Sequence, residues 1–312
     1  MWENAKMNNT APRLTDAELS RKLDPLKAKS KMFTVFAAIC FGITVLSIVL
    51  EHFTDPSLLL ILSPIIGTIL CCACLHMMSK YTKKKKRLIS ANVVHDMLAS
   101  AFELSIYDPD RHVGEYWVQK SQLKGWDNMQ GSDFIRAKYR GIDFTFSDVT
   151  LTAKRGKYMA TIFSGQWLIV DMGKTIGVPV VVSELAKKDI LRDTRSKVQM
   201  ENVAFSRQFT VLTEDPLIAF YVLTPHFMEF IMSSRSLAKG KKHLCFADTN
   251  AHVAINTRSD SFEPCKNVTD IPVLRGRIQD EIDFIKSVID ELLLNERLFD
   301  PKQSRNTITE RI

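Results

Sequence analysis

The sequence predicts an α+β protein: an N-terminal transmembrane helical hairpin followed by a cytoplasmic antiparallel-sheet domain with packed helices. Three observations carry this expectation. Residues 32–50 (MFTVFAAICFGITVLSIVL) and 58–78 (LLLILSPIIGTILCCACLHMM) are apolar runs without a charged side chain, separated only by EHFTDPS. Between 142 and 182, and again at 209–212 and 243–257, apolar residues follow the patterns of strands. From 274 to 292 they recur at three-to-four spacing, the period of a helix with one buried face.

Residues 1–31 carry seven basic and four acidic side chains. They show no apolar period beyond a short helix after Thr15, where Glu18 is placed for a capping box. They are expected to form a cytoplasmic tail, mostly mobile, and too long and too charged for a cleaved signal peptide. Each apolar run, at about 1.5 Å per residue, is long enough to cross a hydrocarbon core about 30 Å thick. Residues 32–78 therefore read as a two-helix transmembrane hairpin (32–50, 58–78). Arg21, Lys22, Lys27, Lys29 and Lys31 precede the first run, and Lys80, Lys83, Lys84, Lys85, Lys86 and Arg87 follow the second. The connection holds only Glu51, His52 and Asp55. Cations at both outer ends place both termini in the cytoplasm. The six that follow the second run are the candidate membrane-surface contact, each worth about 1 kcal/mol beside anionic lipid.

Residues 79–106 are expected to be a basic juxtamembrane and helical stalk. Leu88, Ile89, Val93, Val94, Met97, Leu98 and Phe102 recur at helical spacing to about 103. Tyr107-Asp108-Pro109 ends the helix, because proline disfavours helical geometry at the residue before it. Residues 107–299 form the cytoplasmic α+β domain, and 300–312 a disordered tail.

Within the domain, Ile142, Phe144 and Phe146 alternate with polar residues, and Val149 and Leu151 resume the pattern. YMATIFSGQWLIVD (158–171) is the strongest strand, with Gly165 at a bulge or close backbone approach. Met172-Gly173-Lys174 reads as a turn, and 178–182 as a returning strand in which Pro179 favours an edge. These pieces suggest an antiparallel meander covered on one side. A helical interval and a strand around 209–212 follow. Asp215-Pro216 opens a short helix, and Thr224-Pro225, an N-cap and first-turn pair, opens the next. Residues 243–248 and 251–257 read as a hairpin with Leu244 and Phe246 facing Val253 and Ile255. The stripe Leu274, Ile278, Ile282, Ile285, Ile289 and Leu292 is expected to dock a last helix, ending near 299, on the sheet.

The net charge of +7 is all at the membrane, because residues 88–312 hold 29 side chains of each sign. A neutral domain lacks a phosphate-binding footprint, so no nucleic acid is expected. Cys40, Cys71, Cys72 and Cys74 lie in the hairpin, leaving Cys245 and Cys265 in the domain. This is no disulfide framework; Cys71, Cys72 and Cys74, near the inner membrane face, read as small polarizable residues packing between helices, with lipid attachment as the alternative. The sequons at Asn8 and Asn267 are silent on the cytoplasmic side.

No motif carries chemistry. Gly173-Lys174-Thr175 resembles the end of a phosphate loop, but the glycine required five positions earlier is Leu168, inside a strand. In the expected hairpin, His252 is a diagonal neighbour of Cys245 at roughly 7–8 Å, too far to share a zinc with it and His243. His95, His112 and His226 read as structural. No serine sits in a Gly-x-Ser-x-Gly elbow. Asp171, Glu214, Asp215, Asp248 and Asp260 fall at turns, where aspartate serves the backbone. No catalytic, cofactor or metal residue is assigned.

Phe163-Ser164-Gly165 with Val170-Asp171, and ENVAFSRQFTVLTEDPLIAFYVLTPHFMEFI (201–231), resemble a bacterial family known as domain of unknown function 3137. Phe205, Phe209, Val211, Asp215, Ala219, Leu223, Thr224, Pro225 and Met228 carry the second stretch, and Leu294-Asn295 resembles the family's closing segment. Gln166-Trp167 departs from the smaller or more uniformly apolar residues expected there. The resemblance covers roughly 88–299 and implies a two-span protein of the bacterial cytoplasmic (inner) membrane with a tethered domain, but no activity or ligand. The leading expectation is a binding or scaffold module recruiting a protein or lipid partner to the inner leaflet. The alternatives are a subunit of an oligomeric pore or transport accessory, built by self-association, and an enzyme acting on a membrane-proximal substrate.

Overall fold

The computed structural model describes residues 15–53, 58–185, 196–234, 237, 239–259, 271–295 and 298. The chain forms two compact units, whose described parts are residues 15–96 with Ile271, and residues 97–259 with 272–298.

The first unit is helical. Helix α1, Asp16–Phe53, opens with the expected capping box: Glu18 N–H donates to Thr15 Oγ1 at 3.3 Å, and Thr15 N–H donates to Glu18 Oε2 at 2.9 Å. The helix then runs 38 residues through Pro25 into the apolar run. Residues 16–31 are therefore the start of a long helix and not a mobile tail. Leu19 and Leu23, one turn apart, are buried, a helical pair too sparse to register as a period. Residues 1–14, like the tail 300–312, lie outside the described residues.

Helix α2, Leu58–Ile89, continues through a π-helical turn at Ser90–Val94 into α3, His95–Ala101. Helices α1 and α2 pack antiparallel. Phe33 stacks on Tyr81 with ring centroids 5.7 Å apart, Thr34 Oγ1 donates to Met78 Sδ at 3.2 Å, and Cys71 Sγ–H donates to Ala37 O at 3.7 Å. At Gly67 they approach closely, since a Cβ there would lie 2.3 Å from Thr44 Oγ1. Both helices are long and apolar enough to cross a membrane. Their outward side chains, Phe41 and Ile69 among them, are exposed.

The second unit is a seven-stranded antiparallel sheet with helices. Its strands are β1 (Glu103–Asp108), β2 (Asn128–Tyr139), β3 (Ile142–Arg155), β4 (Tyr158–Ser183), β5 (Ser196–Val198), β6 (Thr210–Thr213) and β7 (Lys241–Asn256). The order is β1-β2-β3-β4-β6-β5, and β7 also pairs with β4. Residues 103–106, expected to end the stalk, are strand. The helix stops at Ala101, and Phe102 turns its ring onto Phe144 and Tyr139, at 4.9 and 5.9 Å.

Strand β4 organises the sheet. Its first half pairs with β3 and its last residues with β6, while β7 runs along it from Gln166 to Ser183. The turn expected at 172–174 is a bulge inside this strand. Gly173, at φ +65°, donates its N–H to Asp171 Oδ1 at 2.8 Å. The chain there advances five positions, from Asp171 to Ile176, while β7 advances two, from Asn250 to Asp248. Bulge chemistry and turn chemistry use the same residues, and pairing beyond the kink decides between them. Pro179 is not on an edge strand; it falls in the second irregularity, between Ile176 and Val180. Nor do residues 243–257 form a hairpin. Strand β7 is continuous, with Asp248 at φ +53° where it bends, and Leu244, Phe246, Val253 and Ile255 pair with Val182, Val180, Leu168 and Gln166.

The sheet is covered on both sides, not one. Helix α4 (Glu115–Lys120) and its flanks bring Val113, Val118 and Leu123 onto Met129, Val149, Leu151, Phe163 and Trp167. The opposite side carries buried Phe144, Phe146, Leu168 and Val170. There α8 (Ile271–Leu294) docks with its six predicted apolar residues buried, and Asp290 meets Tyr139 Oη at 3.2 Å and Arg140 at 2.6 Å. Helix α8 ends at Leu294, short of 299. Helix α5 (Val203–Gln208) belongs to the expected helical interval, whose residues 186–195 lie outside the described set. Helices α6 (Pro216–Val222) and α7 (Pro225–Ser233) start where Asp215 and Thr224 cap them, by bonds of 2.9 and 3.2 Å.

Candidate functional site

A cleft of about 640 Å³ lies where α7 begins and α8 ends, lined by Thr224, Pro225, His226, Phe227, Glu291, Leu294 and Asn295. Local chemistry builds it. Thr224 spends its hydroxyl on the N–H of Phe227. Asn295 Nδ2 donates to Val222 O at 3.1 Å, satisfying a carbonyl that the end of α6 leaves open and pinning the end of α8 beside α7. His226 Nδ1 stands 2.7 Å from Glu291 Oε1, the imidazole 70% exposed and the carboxylate side chain 10%. The approach lacks hydrogen-bond alignment, so the attraction is that of an ion pair whenever His226 is protonated. Leu294 gives the cleft an exposed apolar lip. A buried acid, an imidazole and an apolar rim suit capture of a ligand, and no Ser, Cys or Lys nucleophile is among the lining residues.

A second cleft, about 260 Å³, is polar: Gln130, Gly131, Ser132, Asp148, Val149, Thr150, Ser164, Gly165 and Ser259 line it. Gly165 serves a close approach, as expected, because a Cβ there would lie 2.2 Å from Ile255 O. Thr150 and Ser164 join their hydroxyls at 3.0 Å.

Beside it, on the α8 face of the sheet, Gln166 donates from Nε2 to Glu281 Oε2, and Lys239 Nζ donates to Glu281 Oε1 at 3.0 Å. Burial raises the Glu281 pKa, and the Lys239 charge pulls the other way. Gln166 Oε1 is buried without a partner.

The motif residues fall as follows. Lys174 lies in β4 and donates to Tyr221 Oη at 2.6 Å, a structural contact. His243 Nε2 lies 2.9 Å from Ser121 O and its Nδ1 3.2 Å from Ser183 Oγ, so Nε2–H donates to the carbonyl and Nδ1 accepts from the hydroxyl. Cys245 Sγ–H donates to Lys120 O at 3.8 Å. Together they tie the C-terminal carbonyls of α4 to β7. His252 lies along the same strand and not across a hairpin from Cys245. It is buried with both ring nitrogens unpartnered, the Trp117 ring 6.4 Å away. Burial, then the neighbouring His243, lowers its pKa to about 3. Asp171 and Asp215 serve backbone N–H groups, and Asp248 pairs with Lys120 at 2.7 Å. Asp260, Cys265 and Asn267 lie outside the described residues.

Lys80, Lys83, Lys84 and Arg87 are exposed on α2 just beyond its apolar run, with Lys85 and Lys86 half-buried. The structure adds cations from α1. Ser30 Oγ meets Thr82 Oγ1 at 3.4 Å and Lys29 Nζ lies 5.7 Å over the Tyr81 ring, so Lys27, Lys29 and Lys31 stand level with the α2 group.

Sequence reasoning missed His226 with Glu291 and Gln166 with Glu281, pairs brought together from distant segments. The available signals were a glutamine inside the most apolar strand and a glutamate one helical turn from Ile278 and Ile285.

A family model described as "Protein of unknown function (DUF3137)" matches residues 161–294, which run from β4 to the end of α8. Among solved structures, the crystal structure of the mycobacterial trehalose monomycolate transport factor A, TtfA, is similar with a TM-score of 0.35 and 10% identity, over 65% of this chain and 91% of that one. No curated protein matches the chain.

Proposed function

We propose that the chain is a membrane-anchored binding module of a bacterial inner membrane, both termini cytoplasmic, whose α+β unit recruits a protein partner to the inner leaflet. The observation that carries this reading is the cleft at Thr224, His226, Glu291 and Leu294. It has the size of a ligand site, an exposed apolar lip and a largely buried acid. The tether is the α1–α2 hairpin, and the cations level with one another on both helices fit an anionic leaflet on the side where the positive-inside rule puts them.

Photo-crosslinking in intact cells tests it. A photoreactive amino acid replaces Leu294 in the cleft, or Arg207 as an exposed control position away from it. A discrete adduct from position 294, absent at 207 and lost on adding Glu291→Ala, is the expected result. Equal or no crosslinking at both positions contradicts it.

A further inference from the structure

The turn joining β3 to β4 is built as a basic, apolar tip. Arg155 pairs with Tyr158, leaving Gly156 and Lys157 as a two-residue connection. Gly156 has φ +62° and Lys157 does not have a positive φ, as in a type II′ turn with glycine in its first central position. Residues 154–159 are all exposed. Tyr158 is 79% exposed and Met159 57%, and no hydrophobic requirement of the fold places them there. Lys154, Arg155 and Lys157 surround them, and no acidic residue occurs between Asp148 and Asp171. At the base of the tip Asp127 accepts the backbone N–H of Lys154 at 2.7 Å.

A tyrosine and a methionine beside three cations match the membrane–water boundary. Amphipathic aromatics settle at headgroup level, and lysine and arginine are drawn to an anionic leaflet. A protein partner for so small and convex a tip would bury little surface, whereas a fluid headgroup layer closes around it. We propose that the 154–159 tip inserts into the headgroup layer of an anionic leaflet, a second membrane contact besides the α1–α2 hairpin. The inference rests on the tether reading, since the hairpin keeps the tip at high local concentration near lipid.

The test uses the full chain in nanodiscs of phosphatidylcholine alone or with phosphatidylglycerol, each with plain or brominated acyl chains. The emission of the parent is subtracted from that of Tyr158→Trp. In anionic discs the introduced indole is expected to shift to the blue and to be quenched severalfold more by brominated than by plain lipid. The triple variant Lys154→Glu, Arg155→Glu, Lys157→Glu, at exposed positions and with its fold checked by circular dichroism, is expected to lose both effects. An indole that stays in water in all discs, or inserts equally after charge reversal, overturns the proposal while the tether stands. An indole shielded only when cell extract is added overturns it in favour of a protein occupant. A chain that fails to co-elute with discs removes the tether reading itself.

Discussion

Acid should weaken the sheet unit through one residue, His252. Its ring is buried between the sheet and α4 with neither nitrogen partnered, and its pKa falls from 6.5 to about 3. Above pH 6.5 the ring is neutral in both the folded and the unfolded chain and contributes no pH dependence. As pH falls below 6.5 the unfolded chain takes up a proton that the folded chain refuses, so stability is lost through the window from 6.5 down to 3. The loss is about 1.4 kcal/mol per pH unit, about 2 kcal/mol by pH 5 and about 4–5 kcal/mol once the window is crossed. Carboxylates titrate in the lower part of the same range, so the comparison with His252→Leu isolates the effect. Leucine is close in size and leaves no unpartnered nitrogen, so the variant is at least as stable as the parent at pH 7.5. Its advantage should widen by about 2 kcal/mol between pH 7.5 and 5. Urea unfolding of the nanodisc-embedded chain, followed by tryptophan fluorescence, measures this at each pH. An advantage that does not change with pH, or a His252 imidazole that titrates above pH 5 by NMR, refutes the reasoning.

Glu281→Gln should show the opposite pH trend. The folded Glu281 pKa is raised, chiefly by burial, so wild-type stability is lost as pH rises from the ordinary carboxylate range through the folded value, and the variant's advantage grows in that direction; urea midpoints at acid and neutral pH decide. Gly165→Ala forces a Cβ to within 2.2 Å of Ile255 O and 2.6 Å of Thr257 N. Backbone must move, at a cost of about 1–3 kcal/mol, and calorimetry should find the melting temperature lowered by several degrees. Thr224→Ala removes the cap of α7 and should cost about 1 kcal/mol. It should also weaken crosslinking from Leu294 across the cleft, and crosslinking at wild-type level would show that the cap does not shape the site.

Features written in adjacent residues were legible. Thr15 with Glu18, Asp215-Pro216 and Thr224-Pro225 begin helices where their side chains accept backbone N–H bonds. The stripe of α8 is buried residue for residue. What failed was local chemistry with two outcomes. Asp171 to Gly173 and Asp248 to Asn250 carry the residues of turns, and each becomes a kink because β4 and β7 continue to pair beyond it. Distant pairing overrides a local preference there, and one-dimensional pattern cannot express it. The candidate cleft was illegible for the same reason. Thr224-Pro225 and Leu294-Asn295 were both singled out, but only the fold of α6, α7 and α8 brings His226 to Glu291. The long α1 was missed because Leu19 and Leu23 supply two buried contacts in a stretch otherwise polar.

The central claim is that the α1–α2 hairpin crosses the membrane and returns, leaving the sheet unit on the side where the chain began. Cysteine accessibility measures it directly. Single cysteines are introduced as Asp55→Cys, between the two apolar runs, and as Lys124→Cys, an exposed position of the sheet unit outside the β3–β4 tip, with the native cysteines replaced by alanine. Intact cells and inverted vesicles are then treated with a membrane-impermeant maleimide. The account predicts that position 55 is labelled in cells only and position 124 in inverted vesicles only, with the chain retained in the membrane after carbonate extraction. Labelling of both positions from the same side, or release of the chain by carbonate, contradicts it.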